Sequence, residues 1–134
     1  MAALNQAKII NALEKIVTEA KEDFIFSFLL AYGMPKATIK RLQMNDKQRN
    51  VAQIAGDVAV AQKIYFRPVS GGKSLQGSLD EIRALPLRAQ HKIRFVMVTD
   101  FKTILAYDSK VDDFTEFDFS DFKTNFEFFL PLTG

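Results

Sequence analysis

The fold and function predicted for this chain depend on one stretch, Gly56-Asp57-Val58-Ala59-Val60-Ala61-Gln62-Lys63. The β-branched and aromatic residues that begin here and continue to Phe66 predict a strand over residues 58–66. Because side chains alternate between the two faces of a strand, Asp57 and Lys63 would lie on one face, with Ala61 between them. The sequence therefore predicts that the Asp57 carboxylate and the Lys63 ammonium converge.

A carboxylate and an ammonium on one strand face indicate the site of a Mg²⁺-dependent nuclease. The ion orients a water molecule and stabilises charge on phosphate oxygens, and it prefers one or two protein carboxylates as ligands. We predict Asp57 as a metal ligand and Lys63 as the catalytic group beside the attacking water. A further metal ligand would come from the first helix, from Glu19 or Glu22. The alternative is that Asp57 belongs to a Gly-Asp turn and Lys63 is a solvated strand residue.

The composition is that of an ordinary globular domain. The 134 residues fit one domain, and the chain has no cysteine, which excludes disulfides, thiolate metal sites and cysteine nucleophiles. The N-terminus lacks the basic region and apolar run of a signal peptide. No apolar stretch approaches the ~20 residues that a membrane-spanning helix needs. We therefore expect a cytoplasmic protein with no membrane partner.

Charge is distributed unevenly along the chain. Residues 112–134 carry a net charge of −5, whereas residues 1–111 carry +7. Part of the basic excess is a cluster on a predicted helix and the loop after it, formed by Lys36, Lys40, Arg41, Lys47 and Arg49. Bases gathered in this way neutralise DNA phosphates without regard to sequence. The alternative is that they form a solvated helix face.

Hydrophobic periodicity predicts an α/β domain. Apolar residues at three- and four-residue spacing predict helices, and alternating or continuous apolar runs predict strands. Gly33 is typical of the residue that ends a helix. The predicted elements are, in order, helices at 6–31 and 35–43, a strand at 58–66, a helix at 73–85, strands at 93–99 and 103–107, and a helix at 119–130. This order favours a small mixed sheet flanked by helices.

Four phrases occur in a specific order: FLLAYGMPKATIKRL (28–42), KIYFRP (63–68), RFVMVTDF (94–101) and FEFFLPLTG (126–134). Together they resemble the N-terminal domain of MmeI-like type IIG/IIL restriction–modification DNA methyltransferases. These proteins join an endonuclease domain, a helical spacer, an adenine methyltransferase and a target-recognition domain in one chain. The resemblance implies that residues 1–134 form a single nuclease-like domain. The apolar C-terminal end favours the N-terminal piece of a longer restriction–modification protein.

The resemblance also implies a restriction-endonuclease fold of the PD-(D/E)xK type. In that pattern Asp57 corresponds to the first aspartate and Lys63 to the lysine. Ala61 stands at the middle acidic position, and the spacing after Asp57 is shorter than usual. The implied cofactors are Mg²⁺ for cleavage and S-adenosylmethionine in a downstream methyltransferase domain. The implied partners are double-stranded DNA and that downstream domain.

Three functions remain open at this point. The first is Mg²⁺-dependent DNA cleavage in which Glu19 or Glu22 takes the place of the missing carboxylate. The second is a non-catalytic DNA-binding or interaction module of the same system. The third is a scaffold domain that docks onto the methyltransferase through its phenylalanine-rich C-terminal end.

Overall fold

The structure, a computed structural model, describes residues 6–16, 23–44, 46, 49–54, 56–69 and 72–133. The helices are α1 (Gln6–Ile16), α2 (Phe24–Ala31), α3 (Lys36–Gln43), α4 (Leu75–Arg83) and α5 (Pro86–Gln90). The strands are β1 (Val58–Val60), β2 (Ile64–Pro68), β3 (Phe95–Thr99), β4 (Thr103–Asp108) and β5 (Asp113–Asp118). A 3₁₀ segment, Phe119–Thr133, follows β5. No described helix combines the length and apolar character needed to cross a membrane.

The five strands form one mixed sheet in the order β1-β2-β3-β4-β5. Within the described part of the chain, β2 and β3 run parallel and the other three strand pairings are antiparallel. A parallel pair needs a crossover connection, and here α4 and α5 supply it. The prediction of a mixed sheet flanked by helices is confirmed, while the PD-(D/E)xK type remains a prediction.

The prediction of a single strand over residues 58–66 is wrong. Val58–Val60 and Ile64–Pro68 are two antiparallel strands, with Val58 opposite Phe66 and Val60 opposite Ile64. The chain reverses at Ala61, Gln62 and Lys63, where Gln62 adopts a left-handed conformation with φ of 66°. The Lys63 N–H closes the turn by donating to the Val60 carbonyl at 3.0 Å. Alternation therefore does not continue from Asp57 to Lys63.

The aromatic face of the sheet packs against α1, α2, α3 and the 3₁₀ segment. Strand residues such as Phe66, Phe95 and Ile104 point to this side. The Phe66 ring lies 5.6 Å from the Phe24 ring and the Phe95 ring lies 5.5 Å from the Phe129 ring, as measured between centroids. Ring pairs at such distances add to the free energy of burial, so this face holds the larger part of the core.

The aliphatic face is covered by α4 and α5. Val96 and Val98 of β3 pack there with Leu79 and Ile82 of α4, and all four are fully buried. The helix begins at Ser74, whose hydroxyl accepts a hydrogen bond from the Gly77 N–H at 3.0 Å. This cap satisfies one of the free amides of the first turn. Because both faces of β3 are covered, its sequence is continuously apolar, as predicted.

The prediction of one long helix over residues 6–31 is wrong. Helices α1 and α2 pack against each other, which two parts of one straight helix could not do. The predicted stop at Gly33 is confirmed. Gly33 has φ of 96°, its N–H donates to the Leu30 carbonyl, and the Met34 N–H donates to the Leu29 carbonyl. This is a Schellman motif, in which glycine avoids the strain of a left-handed residue.

The C-terminal part of the chain also differs from the prediction. Strand β5 was not predicted, because its acidic residues are poor strand formers. The helix predicted over residues 119–130 is instead a 3₁₀ segment with non-helical dihedral angles at Asp121 and Asn125. Phe122 and Phe129 are fully buried in it. The phenylalanine stripe therefore belongs to the core, and these two rings are not available for docking a partner.

Candidate nucleic-acid interface and the predicted catalytic pair

Asp57 lies on the aliphatic face, just before β1, and is buried. Its carboxylate accepts a hydrogen bond of 2.6 Å from the Tyr65 hydroxyl and pairs with the Arg67 guanidinium at 3.0 Å. Burial raises the pKa of the Asp57 carboxyl, and Tyr65 and Arg67 oppose this effect only in part. Both partners are on β2, opposite Asp57, because the chain reverses after β1.

Arg67 links this carboxylate to the covering helix. Its Nη1 donates to Glu81 of α4 at 3.2 Å, and its side chain is only 12% exposed. Its Nη2 is buried and has no hydrogen-bond partner among the described residues. The carboxylate of Asp57 is therefore neutralised by a protein cation, which is an unfavourable setting for a second cation such as Mg²⁺.

Lys63 lies at the hairpin turn, and its side chain extends to the opposite side of the sheet. Its ammonium donates to the carbonyl of Leu132, in the 3₁₀ segment, at 3.4 Å. It lines a cleft of about 310 Å³ together with Leu29 and Tyr32, which belong to the aromatic face. The predicted convergence of Asp57 and Lys63 is therefore wrong, since the hairpin sends the two groups to different faces.

The predicted metal ligands do not form a site within the described part of the chain. No three acidic or histidine side chains of the described residues cluster as metal ligands would. The Asp57 carboxylate already forms an ion pair with Arg67. Glu19 and Glu22 lie outside the described residues. The described residues around Asp57 thus do not fit Mg²⁺, and we assign no reaction step to the ion.

The predicted basic cluster is present as an exposed surface. Lys36, Lys40 and Arg41 are exposed on α3, and Arg49 is exposed in the loop that follows. Among the described residues, none of these four forms an ion pair. Lys47 lies outside the described residues. We name Lys36, Lys40, Arg41 and Arg49 the α3 surface.

Helix α3 holds this surface in place by its other side. Ile39 and Leu42 are buried against the aromatic core, and the two positions are three residues apart, as one face of a helix requires. The loop after α3 is anchored by Asn50, whose side-chain oxygen accepts hydrogen bonds from the N–H groups of Ala52 and Ala59. Arg49, next to Asn50, therefore projects from a buttressed loop.

Sequence reasoning missed the partners of the buried carboxylates. Tyr65 and Arg67 hold Asp57, and Arg94 holds Asp108 through two hydrogen bonds of 2.8 Å. The sequence held no local signal for the first of these, because the turn at Ala61, Gln62 and Lys63 lacks glycine, asparagine and aspartate. The pattern of alternation alone cannot distinguish such a hairpin from one continuous strand.

The fold and the site define a mixed α/β domain with an exposed basic surface and no described carboxylate cluster. The chain matches the family of the MmeI N-terminal domain over residues 2–134 and belongs to that family. It is also 29% identical over 121 residues to DNA methyltransferase A of Bacillus subtilis (strain 168). This match covers 90% of the chain but only 13% of the relative. No solved structure matches.

Proposed function

We propose that this domain is the N-terminal module of a restriction–modification type DNA methyltransferase and that it binds the backbone of double-stranded DNA without cleaving it. The domain descends from a nuclease, and it works beside a downstream methyltransferase domain that uses S-adenosylmethionine. Membership of the MmeI N-terminal domain family and the similarity to DNA methyltransferase A support this assignment.

The α3 surface is the observation that carries the DNA-binding proposal. Four cations project from one helix and its following loop, and none is paired with a described acidic residue. A surface of this kind attracts phosphates through counterion release, which makes binding independent of sequence and sensitive to salt. The acidic segment 112–134 carries no comparable positive charge.

The experiment is a salt titration of binding to a fluorescently labelled duplex. The triple variant Lys36→Ala, Lys40→Ala, Arg41→Ala should bind more weakly at low salt. The slope of log K against log salt should fall by about 0.9 for each phosphate that the variant no longer neutralises. The matched control is Lys73→Ala, Lys102→Ala, Lys110→Ala, which removes three exposed lysines outside α3.

Failure of the wild-type chain to bind any duplex at low salt would refute the proposal. So would equal isotherms for the α3 triple variant and the wild type. A control variant that binds as weakly as the α3 variant would show that net charge, and not this surface, determines affinity.

Mg²⁺-dependent cleavage is a second proposal, because Lys63 faces a cleft beside the α3 surface. In this case Glu19 or Glu22 would supply carboxylates. The measurement is nicking of supercoiled plasmid with added Mg²⁺ by the wild type and by Lys63→Ala. Nicking that Lys63→Ala abolishes would support cleavage, and equal rates for the two proteins would reject the assignment of Lys63.

A further inference from the structure

A cleft opens between the start of α3, the loop around Arg49, the β1–β2 turn and the end of the 3₁₀ segment. Pro35, Thr38, Arg49, Lys63 and Leu132 are among the residues that line it. We infer that this cleft holds one phosphate of the DNA backbone through Arg49 and Lys63, directly and without a metal ion. This inference rests on the proposed DNA-binding function and locates one contact within it.

The charge of the cleft is positive. Arg49 and Lys63 reach it from two separate segments, and no described aspartate or glutamate lines it. Tyr32, the remaining titratable group in the lining, is neutral, because burial raises the pKa of its phenol well above the ordinary value. Its hydroxyl donates to the Phe126 carbonyl at 2.7 Å. Two cations with no acid between them favour an anionic ligand.

The donors in the cleft suit a tetrahedral oxyanion. The Lys63 ammonium has three N–H donors, and among the described residues it makes one long hydrogen bond, to the Leu132 carbonyl. The Arg49 guanidinium offers five donors in a planar fork that matches phosphate oxygens.

The position of the cleft favours a phosphate that belongs to DNA. Arg49 is shared between the cleft and the α3 surface, and Lys36 follows directly on the lining residue Pro35. A DNA backbone held by the α3 surface would thus have a phosphate within reach of the cleft at Arg49. Isolated phosphate shares the same chemistry but gains nothing from the neighbouring cations.

Ala61 makes this arrangement possible. It is exposed and lines the cleft next to Lys63 on the hairpin turn. A carboxylate at this position would pair with Lys63 and repel a phosphate, because like charges at close range are unfavourable. The absence of an acidic side chain at position 61 therefore exposes the lysine to the ligand.

The test applies the same salt titration to two double variants of the 134-residue chain. The cleft pair combines Arg49→Gln with Lys63→Gln, and the control pair combines Lys73→Gln with Lys110→Gln. Gln at position 63 keeps a donor for the Leu132 carbonyl. The cleft pair should bind about tenfold more weakly at low salt, with the salt slope lower by about 1, while the control pair should retain the wild-type slope. Thermal unfolding of each variant verifies that it is folded.

A second arm uses Ala61→Glu and its neutral isostere Ala61→Gln. Ala61→Glu should weaken duplex binding several-fold more than Ala61→Gln does, because only the charge differs between them. Equal binding by these two variants would overturn the inference. Mg²⁺-dependent nicking that appears in Ala61→Glu but not in Ala61→Gln would also overturn it, since the cleft would then be a metal site.

The outcomes separate the two proposals. If the wild type binds DNA and the α3 triple variant loses affinity, but the cleft pair matches the control pair, only the cleft assignment fails. If neither the wild type nor any variant binds DNA, the proposed function itself is refuted. Inorganic phosphate that binds in the cleft without weakening duplex binding at matched ionic strength would identify a site for the free ion and overturn the assignment to the backbone.

Discussion

Among the described residues, each face of the sheet holds one buried carboxylate paired with an arginine, but the two pairs differ. On the aromatic face, Arg94 binds Asp108 with two hydrogen bonds of 2.8 Å and lies beside the Phe95 ring. On the aliphatic face, Arg67 reaches Asp57 through a single nitrogen, and a tyrosine completes the site. In the Arg94–Asp108 pair, two nitrogens of the guanidinium donate to the two carboxylate oxygens, whereas in the Arg67–Asp57 pair one nitrogen does so.

The difference is visible in the pKa of each acid. Burial acts to raise the pKa of Asp108, but the hydrogen bond from Arg94, the Lys110 and Val111 amides and the arginine charge lower it by more. For Asp57, burial outweighs its partners and the pKa is raised. The direction of the pKa shift of a buried carboxyl group thus depends on how many donors oppose the effect of burial, and one nearby cation does not by itself lower the pKa.

The largest effect is expected from the aromatic face itself. Phe28 is fully buried and its ring meets those of Phe24, Tyr32, Phe122 and Phe129. Phe28→Ala should lower the free energy of unfolding by about 3–5 kcal/mol, because the cavity cannot close among rigid rings. Urea unfolding measures this, with the half-exposed Phe114→Ala as control. A loss below about 1 kcal/mol would refute the packing described.

An intermediate effect is expected from the aliphatic face. Arg67→Ala leaves the Asp57 carboxylate buried without its cation and should cost about 3 kcal/mol. Glu81→Ala removes a partner whose side chain is 64% exposed and should cost less than about 1 kcal/mol. Urea unfolding of both variants gives the comparison. Equal losses of unfolding free energy in the two variants would contradict the assignment of Asp57 as the principal partner of Arg67.

The double variant Asp57→Leu, Arg67→Met sharpens the same point. Replacing both members of a buried pair by apolar side chains removes the unpaired charge as well as the ion pair. We expect it to be more stable than Arg67→Ala in the same urea experiment. A double variant that is less stable than the single one would indicate that the pair contributes net stability beyond charge compensation.

The smallest effect is expected in the dependence of stability on pH. The lowered pKa of Asp108 gives stability that is present above its ordinary pKa of 3.8 and is lost as the pH falls through the lower, folded value. The raised pKa of Asp57 acts oppositely, so stability falls as the pH rises from 3.8 through its folded value.

Thermal unfolding between about pH 2 and pH 6 measures both effects, using unfolded reference values near 4. Asp108→Asn should lose less stability than the wild type on acidification. Asp57→Asn should lack the decline that accompanies rising pH. Parallel curves for the wild type and both variants would contradict the different directions of the two pKa shifts.

Much of the candidate site followed from the sequence, and the part that failed has one cause. The predicted basic cluster had five members, of which Lys47 lies outside the described residues. Lys36, Lys40 and Arg41 share one short helix and therefore stay close wherever that helix forms. The pairing of Asp57 with Lys63 failed because it required one unbroken strand through Ala61 and Gln62. Local pattern does not indicate a chain reversal when the turn lacks glycine, asparagine or aspartate.

The sequence by itself determined the helix stop at Gly33, the doubly covered strand β3 and the family to which the chain belongs. The helix stop depends on the conformational freedom of glycine, the covered strand on a continuous apolar run, and the family on four phrases in a fixed order. Only the tertiary structure decided that Asp57 and Lys63 lie on opposite faces, that β5 joins the sheet, and that Arg49 and Lys63 meet in one cleft. Such contacts join residues distant in the chain, and packing selects among arrangements that local preference leaves equal.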